Sequence, residues 1–220
     1  MRYTTLLVAA VLCLVSTSLL QAGEFALSRQ LLADIEQQYG DYARQRVLNW
    51  NELILANRHI DEADKLQKVN EFFNQLEFVN DIDHWGTEDY WATPLQMLTS
   101  NGGDCEDFSI AKYFTLREMG IPAERMRLTY AKALELDQAH MVLTYYASPD
   151  AEPLILDNLI ADILPSSERT DLLPVYSFNG DGLWLAKSRG TDQRIGYSSR
   201  LSRWNEVLAK ISGEQITLAY

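Results

Sequence analysis

Cys105, His140 and Asp157 are the side chains of this chain whose types and order could run thiol chemistry. A cysteine nucleophile needs a base to take its proton, and the base needs a third group that fixes its tautomer and steadies the imidazolium. Cys105 follows a glycine pair in Asn101-Gly-Gly-Asp-Cys-Glu-Asp107, His140 heads the apolar run Met141 to Tyr146, and Asp157 closes the short run Leu154 to Leu156. The turn residues Ser148-Pro-Asp150 between the two runs predict an antiparallel hairpin, which can bring His140 and Asp157 together. A lone histidine at a strand end also serves as an ordinary structural residue, and spacing alone leaves both readings open. His84, in an acid-rich segment, is a second candidate for the base and ranks behind His140.

The position of Cys105 carries chemical meaning. Asp104 is a good N-cap type, and Phe108, Ile110, Ala111, Phe114, Leu116 and Met119 recur at helical spacing until Gly120 and Pro122 supply the stop. Cys105 is therefore expected in the first turn of a buried helix, where unpaired N–H groups and the positive helix end favour a thiolate. Gly102 and Gly103 are expected to allow a sharp turn and the close approach of another group. Three acids oppose the thiolate: Asp104, Glu106 and Asp107. At roughly 6 Å and an effective dielectric of about 20, each costs ~2 to 3 kcal/mol, more than the ~1 kcal/mol or less that a helix end contributes. Either the acids are solvated and cap the helix, or a cation neutralises them. Clustered carboxylate oxygens suit a hard cation such as calcium, which takes about 6 to 8 oxygen ligands.

The elements that must position these groups form an α+β layout of helices first and strands after. Leu31, Leu32, Ile35 and Tyr39 mark one helical face before Gly40, Val47 to Leu55 continue the pattern, and Asp61 is expected to cap a third helix carrying Leu66, Val69, Phe72, Phe73, Leu76 and Val79. From Asn80 to Ser100 acids and aromatics mix without a clear period, which reads as a loop whose Trp85, Tyr90 and Trp91 either pack on the helices or wall a cleft. Met126, Leu128 and Tyr130 alternate as a strand, the His140 and Asp157 runs follow, Leu183 to Leu185 suggest another strand, and Ser199 to Ile211 a closing amphipathic helix.

Length and composition, 220 residues with 47% hydrophobic content, suit one well-packed domain. The net charge of −12 and the lack of any Lys/Arg cluster argue against nucleic acid as a partner. Residues 1–22 read as a secretory signal, with Arg2, the apolar run Leu6 to Val15, and Ala22 before Gly23; the run is short for a membrane span, and an uncleaved inner-membrane anchor is the alternative reading. The mature domain is then 23–220, Cys13 is discarded, and Cys105 is left as a lone thiol in a compartment that favours disulfides.

The segments Asp89-Tyr-Trp-Ala-Thr-Pro94, Gly102-Gly-Asp-Cys-Glu-Asp107, Gln138-Ala-His-Met-Val142 and Leu156-Asp-Asn-Leu159 together resemble the bacterial transglutaminase-like cysteine proteinases of the LapG type, over roughly Lys65 to Arg200. The resemblance implies a papain-like, transglutaminase-type fold with Cys105 as nucleophile, His140 as general base then acid, and Asp157 as the orienting carboxylate. It also implies a calcium site on Asp104, Glu106 and Asp107, and a periplasmic location. The implied substrate is the N-terminal region of a large surface adhesin, cut at a dialanine-containing site to release the adhesin and disperse biofilm. The implied regulator is the periplasmic domain of a transmembrane cyclic-di-GMP receptor of the LapD type. The same triad would also serve a transglutaminase or deamidase, and the fold could carry a catalytically silent binding protein, against which the intact set of three residues speaks.

Overall fold

The computed structural model describes residues 26–186, 192–214 and 216–217. The expected signal segment lies outside them. The short strand β1 (Ala26–Leu27) leads into helices α1 (Arg29–Tyr39), α2 (Asp41–Asn57) and α3 (Glu62–Phe73). As expected, Asp61 caps α3, its side chain accepting from the Asp64 N–H at 2.9 Å. The helix stops at Phe73 rather than running on to Val79, because Glu77–Phe78 forms strand β2. The expected Asn80 to Ser100 loop is partly helical, with α4 (Asp81–His84) and α5 (Pro94–Ser100). Helix α5 begins with a capping box in which Thr93 and Gln96 satisfy each other's backbone N–H groups.

Strand β3 (Gly102–Gly103) pairs parallel with β2, Glu77 opposite Gly102 and Phe78 opposite Gly103. It runs directly into α6 (Cys105–Glu118), whose N-cap is Asp104 and whose exit is turned by Gly120 at φ 89°. The anticipated apolar stripe of α6 is buried throughout, and so are its polar residues Asp107, Ser109, Lys112, Thr115 and Glu118. Ser109 Oγ donates to Met141 O (3.0 Å), Lys112 Nζ to Asp157 O (3.0 Å) and Thr115 Oγ1 to Ala111 O (2.7 Å). Burial without loss of these hydrogen bonds is what lets α6 sit at the centre of the domain.

One face of α6 packs on an antiparallel sheet, β4 (Met126–Ala133), β5 (Gln138–Tyr145), β6 (Leu154–Leu156), β7 (Leu164–Pro165), β8 (Leu172–Phe178), β9 (Gly182–Leu185) and β10 (Gln193–Tyr197), in the order β10-β9-β8-β4-β5-β6-β7. Strands β8 and β10 have no counterpart in the sequence expectation: β8 carries Pro174 and an irregular register at Tyr130/Ala131 of its partner, which breaks the alternation that marks a strand. The expected hairpin is present, β5 and β6 pairing with Leu143 opposite Leu156. Helix α7 (Ser202–Gly213) starts three residues later than expected, after a short 3-10 turn, and seats Trp204 against Phe114, Tyr113 and Phe178. Strand β11 (Ile216–Thr217) returns to pair with β1. None of the helices among the described residues is long and apolar enough to cross a membrane.

Candidate active site

The β5–β6 register sets the first part of the site. With Leu156 opposite Leu143, Asp157 follows next to Val142, and His140 is its diagonal neighbour on the same face of the ladder. His140 Nε2 and Asp157 Oδ1 lie 2.7 Å apart, with the two side chains almost wholly buried. Asp157 Oδ1 also accepts from the Leu159 N–H at 3.1 Å. The Asp157 carboxyl is drawn down to about 2: burial works against this, and the bonds from His140, Leu159 and Arg169 overcome it. A fixed carboxylate holds the Nε2 proton of His140, which leaves Nδ1 as the basic nitrogen.

Cys105 is half-buried at the first position of α6. The Ser109–Met141 hydrogen bond ties α6 to the residue that follows His140, and the Met141 N–H approaches the Cys105 sulfur. The structure does not pair the thiol with His140: Cys105 Sγ donates to Glu106 Oε2 at 2.8 Å. Burial, then Glu106, then Asp104 push the thiol well above its ordinary value. The electrostatic conflict expected from the sequence is therefore present in the folded chain.

Beside the thiol the acids converge. Asp81, Asp104 and Asp107 each bring a carboxylate oxygen within 4.8 Å of the others, and Asp104 also groups with Cys105 and Glu106. The sequence reading missed Asp81. Its place follows from the parallel β2–β3 pair, since Asp81 comes shortly after β2 and Asp104 directly after β3, with Val79 N donating to Gly103 O at 3.0 Å. The closeness of the backbones depends on glycine: a Cβ on Gly102 would stand 2.6 Å from Glu77 O, and one on Gly103 2.7 Å from Asp107 Cβ. The close approach is as expected, whereas the turn itself is made by Asn101, at φ 69°.

Each of these carboxylates is already partly held. Asp107 Oδ1 accepts from Ala92 N (2.6 Å), Asp104 Oδ1 from Glu106 N (3.2 Å), and Asp81 Oδ2 from Tyr90 N. Asp81 Oδ1 and Asp107 Oδ2 are buried without a hydrogen-bond partner. Burial first, and repulsion among the acids with it, raises Asp104 to about 9, Asp107 to about 8 and Asp81 to about 6. Carboxylate oxygens gathered within 4.8 Å of one another fit a hard divalent cation such as calcium better than a thiol- or imidazole-seeking metal.

The other candidates take structural places. His84 Nε2 bonds Ser100 Oγ at 2.8 Å and its ring stacks edge-on against Trp85. Trp91 is buried against Phe178 and its indole N–H donates to Asp89, while Trp85 Nε1 is buried without a partner. The aromatic loop is clamped by α7, through Lys210 Nζ on Trp91 O (2.8 Å) and over the Tyr90 ring, and through Arg203 on Asp89 (3.0 Å). Two groups around Asp157 also escaped the sequence reading: Arg169, bonded to Asp157 Oδ2 at 2.7 Å, and Asp171, which holds Arg169. A short arginine-bearing turn gives no periodic signal.

Comparison with known proteins agrees with this geometry. The model of the family "bacterial transglutaminase-like cysteine proteinase" matches residues 43–178. Solved structures of Legionella pneumophila LapG are similar: an EGTA-treated form at 43% identity and TM-score 0.74, covering 85% of this chain and 99% of that one, and a calcium-bound form at 43% identity and TM-score 0.72, covering 84% and 99%. The search of the curated proteins gives no match.

Proposed function

This chain belongs to the bacterial transglutaminase-like cysteine proteinases and is a cysteine protease, and on that footing we propose a calcium-dependent periplasmic endopeptidase that works through Cys105, His140 and Asp157. The observation that carries the reading is the convergence of Asp81, Asp104 and Asp107 beside the nucleophile, with Asp81 Oδ1 and Asp107 Oδ2 left unpartnered. Asp104 and Asp107 would hold the ion together with Asp81, and Glu106, grouped with Asp104 and Cys105, stands on the thiol side. A bound dication supplies positive charge that offsets the acids around Cys105.

The chain's own groups then do the acyl transfer. Nδ1 of His140 takes the thiol proton, the thiolate attacks the scissile carbonyl, and backbone N–H groups at the start of α6 receive the developing oxyanion. Imidazolium His140, steadied by Asp157, protonates the leaving amine. Water, activated by the same nitrogen, then cleaves the thioester. Supporting the periplasmic location is the signal-like segment 1–22.

The proposed substrate is the N-terminal region of a large surface adhesin, cut at a dialanine-containing site with release of the adhesin and dispersal of biofilm. The proposed regulator is the periplasmic domain of a LapD-type cyclic-di-GMP receptor. The test is incubation of the mature protein, and of Cys105→Ala, with the N-terminal segment of such an adhesin, in calcium and in EGTA, read by intact mass. Two fragments that require both Cys105 and calcium are expected. Intact substrate in every lane would overturn the assignment, and a mass increase with an added amine would point to a transferase.

A further inference from the structure

Every acceptor of Asp157 is occupied. Oδ1 takes His140 Nε2 and the Leu159 N–H, Oδ2 takes Arg169 Nη2 at 2.7 Å, and the backbone carbonyl takes Lys112 Nζ (3.0 Å) and Asn74 Nδ2 (2.8 Å). Arg169 is only 2% exposed, and its own orientation is set by Asp171, which accepts from Nε at 2.9 Å and from Nη2 at 2.8 Å. The chain of contacts therefore runs Asp171, Arg169, Asp157, His140, with a planar guanidinium fixing the plane of the carboxylate between them.

We propose that Arg169, clamped by Asp171, is a positioning residue for the reaction: it locks the Asp157 carboxylate in the orientation that holds the Nε2 proton of His140. This rests on the proteolytic reading of the site above. A carboxylate bonded on one oxygen only could rotate about its Cβ–Cγ bond, and Lys112, the other cation at Asp157, reaches only its backbone carbonyl. Arg169 removes that freedom by holding the second oxygen. Its hydrogen bonds go to Asp157 and Asp171, so its influence on His140 passes through Asp157.

The architecture also supplies a means of testing this. The third guanidinium nitrogen, Nη1, makes no hydrogen bond, and Arg169 lines a cavity of about 750 Å³ walled by Thr129, Ala131, Val142 and Ile155 of the sheet. A small guanidinium compound has a route to the vacated place when the side chain is cut back.

The experiment compares the native protein with Arg169→Ala, Arg169→Lys and Asp171→Asn, by kcat/KM for cleavage and by the imidazole N–H resonance of His140, assigned against His140→Gln. Arg169→Ala is expected to lose about 10- to 100-fold in kcat/KM, the range for removing a partner that orients a site ligand, mainly in kcat. Its Nε2–H signal is expected to broaden by exchange with water. Millimolar methylguanidinium restores part of both, methylammonium does not, and Arg169→Lys lies between. Asp171→Asn moves the same signal in the same direction and decides the matter should Arg169→Ala fail to fold. A folded Arg169→Ala with native kcat/KM and a sharp His140 signal overturns the proposal, as does a loss that methylguanidinium leaves untouched. Should the native protein cut no substrate, the proteolytic reading fails, whereas the resonance still decides the role of Arg169 toward Asp157.

Discussion

Asp81 and Asp104 place carboxylate oxygens within 4.8 Å of each other, with Asp107 between the same limits, because the two-residue strands that precede them run side by side in parallel. In the absence of a cation such a cluster is a liability, and in its presence a binding site. Asp81→Asn is therefore expected to weaken calcium binding by about tenfold or more while raising the melting temperature in EGTA. A site that gives about 2.7 kcal/mol of stabilisation at a hundredfold excess of calcium over Kd makes both effects readable by calorimetry.

The same cluster dictates a pH dependence. Asp104 at about 9, Asp107 at about 8 and Asp81 at about 6 all lie above the unfolded value of 3.8, burial being the main cause. Between those limits the folded state binds more protons than the unfolded one, so stability contributed by these groups is present at low pH and lost as pH rises through the folded values. In EGTA the melting temperature is expected to fall from pH 5 to pH 9, and saturating calcium to remove that fall. At pH 7 calcium uptake releases protons, which titration calorimetry in buffers of different ionisation enthalpy detects.

Gly103 is required by the side chain of Asp107 rather than by its own φ. A Cβ there would overlap Asp107 Oδ2 and stand 2.7 Å from Asp107 Cβ, so the Asp107 side chain would have to shift. Gly103→Ala is expected to cost about 1 to 3 kcal/mol in denaturant melts, as overpacking does, and to depress calcium affinity by displacing Asp107.

The two candidate bases separate cleanly. His84 bonds Ser100 Oγ, so His84→Ala should cost about 1 kcal/mol of stability and leave kcat near native. His140→Ala should lower kcat by orders of magnitude with little change in melting temperature beyond the loss of its Asp157 bond. Paired kinetic and thermal measurements on the two variants check this.

Much of this site was legible in the chain because it depends on local rules. Asp104 as N-cap, Cys105 in the first turn and the Gly120 stop follow from helix-end chemistry, and the β5–β6 hairpin follows from two apolar runs about a turn. Asp81, Arg169 and Asp171 were not legible: each reaches the site through a non-local pairing or an irregular turn that leaves no periodic trace. The Thr93/Gln96 capping box was spelled in the sequence but masked by the aromatics before it. Strand β8 was hidden by Pro174, and α3 appeared too long because Leu76 and Val79 continue its spacing by coincidence.

In the proposed function, cation binding by the acid cluster makes Cys105 a nucleophile. Cys105 is the only cysteine from residue 23 onward, so its alkylation by iodoacetamide reports on this thiol alone. The measurement is the alkylation rate of the folded mature protein at pH 7 in calcium and in EGTA, with Asp81→Asn alongside. Fast modification is expected in calcium, slow modification in EGTA, and a rate for Asp81→Asn that recovers only at higher calcium. Equal rates in calcium and EGTA would contradict this role of the cation.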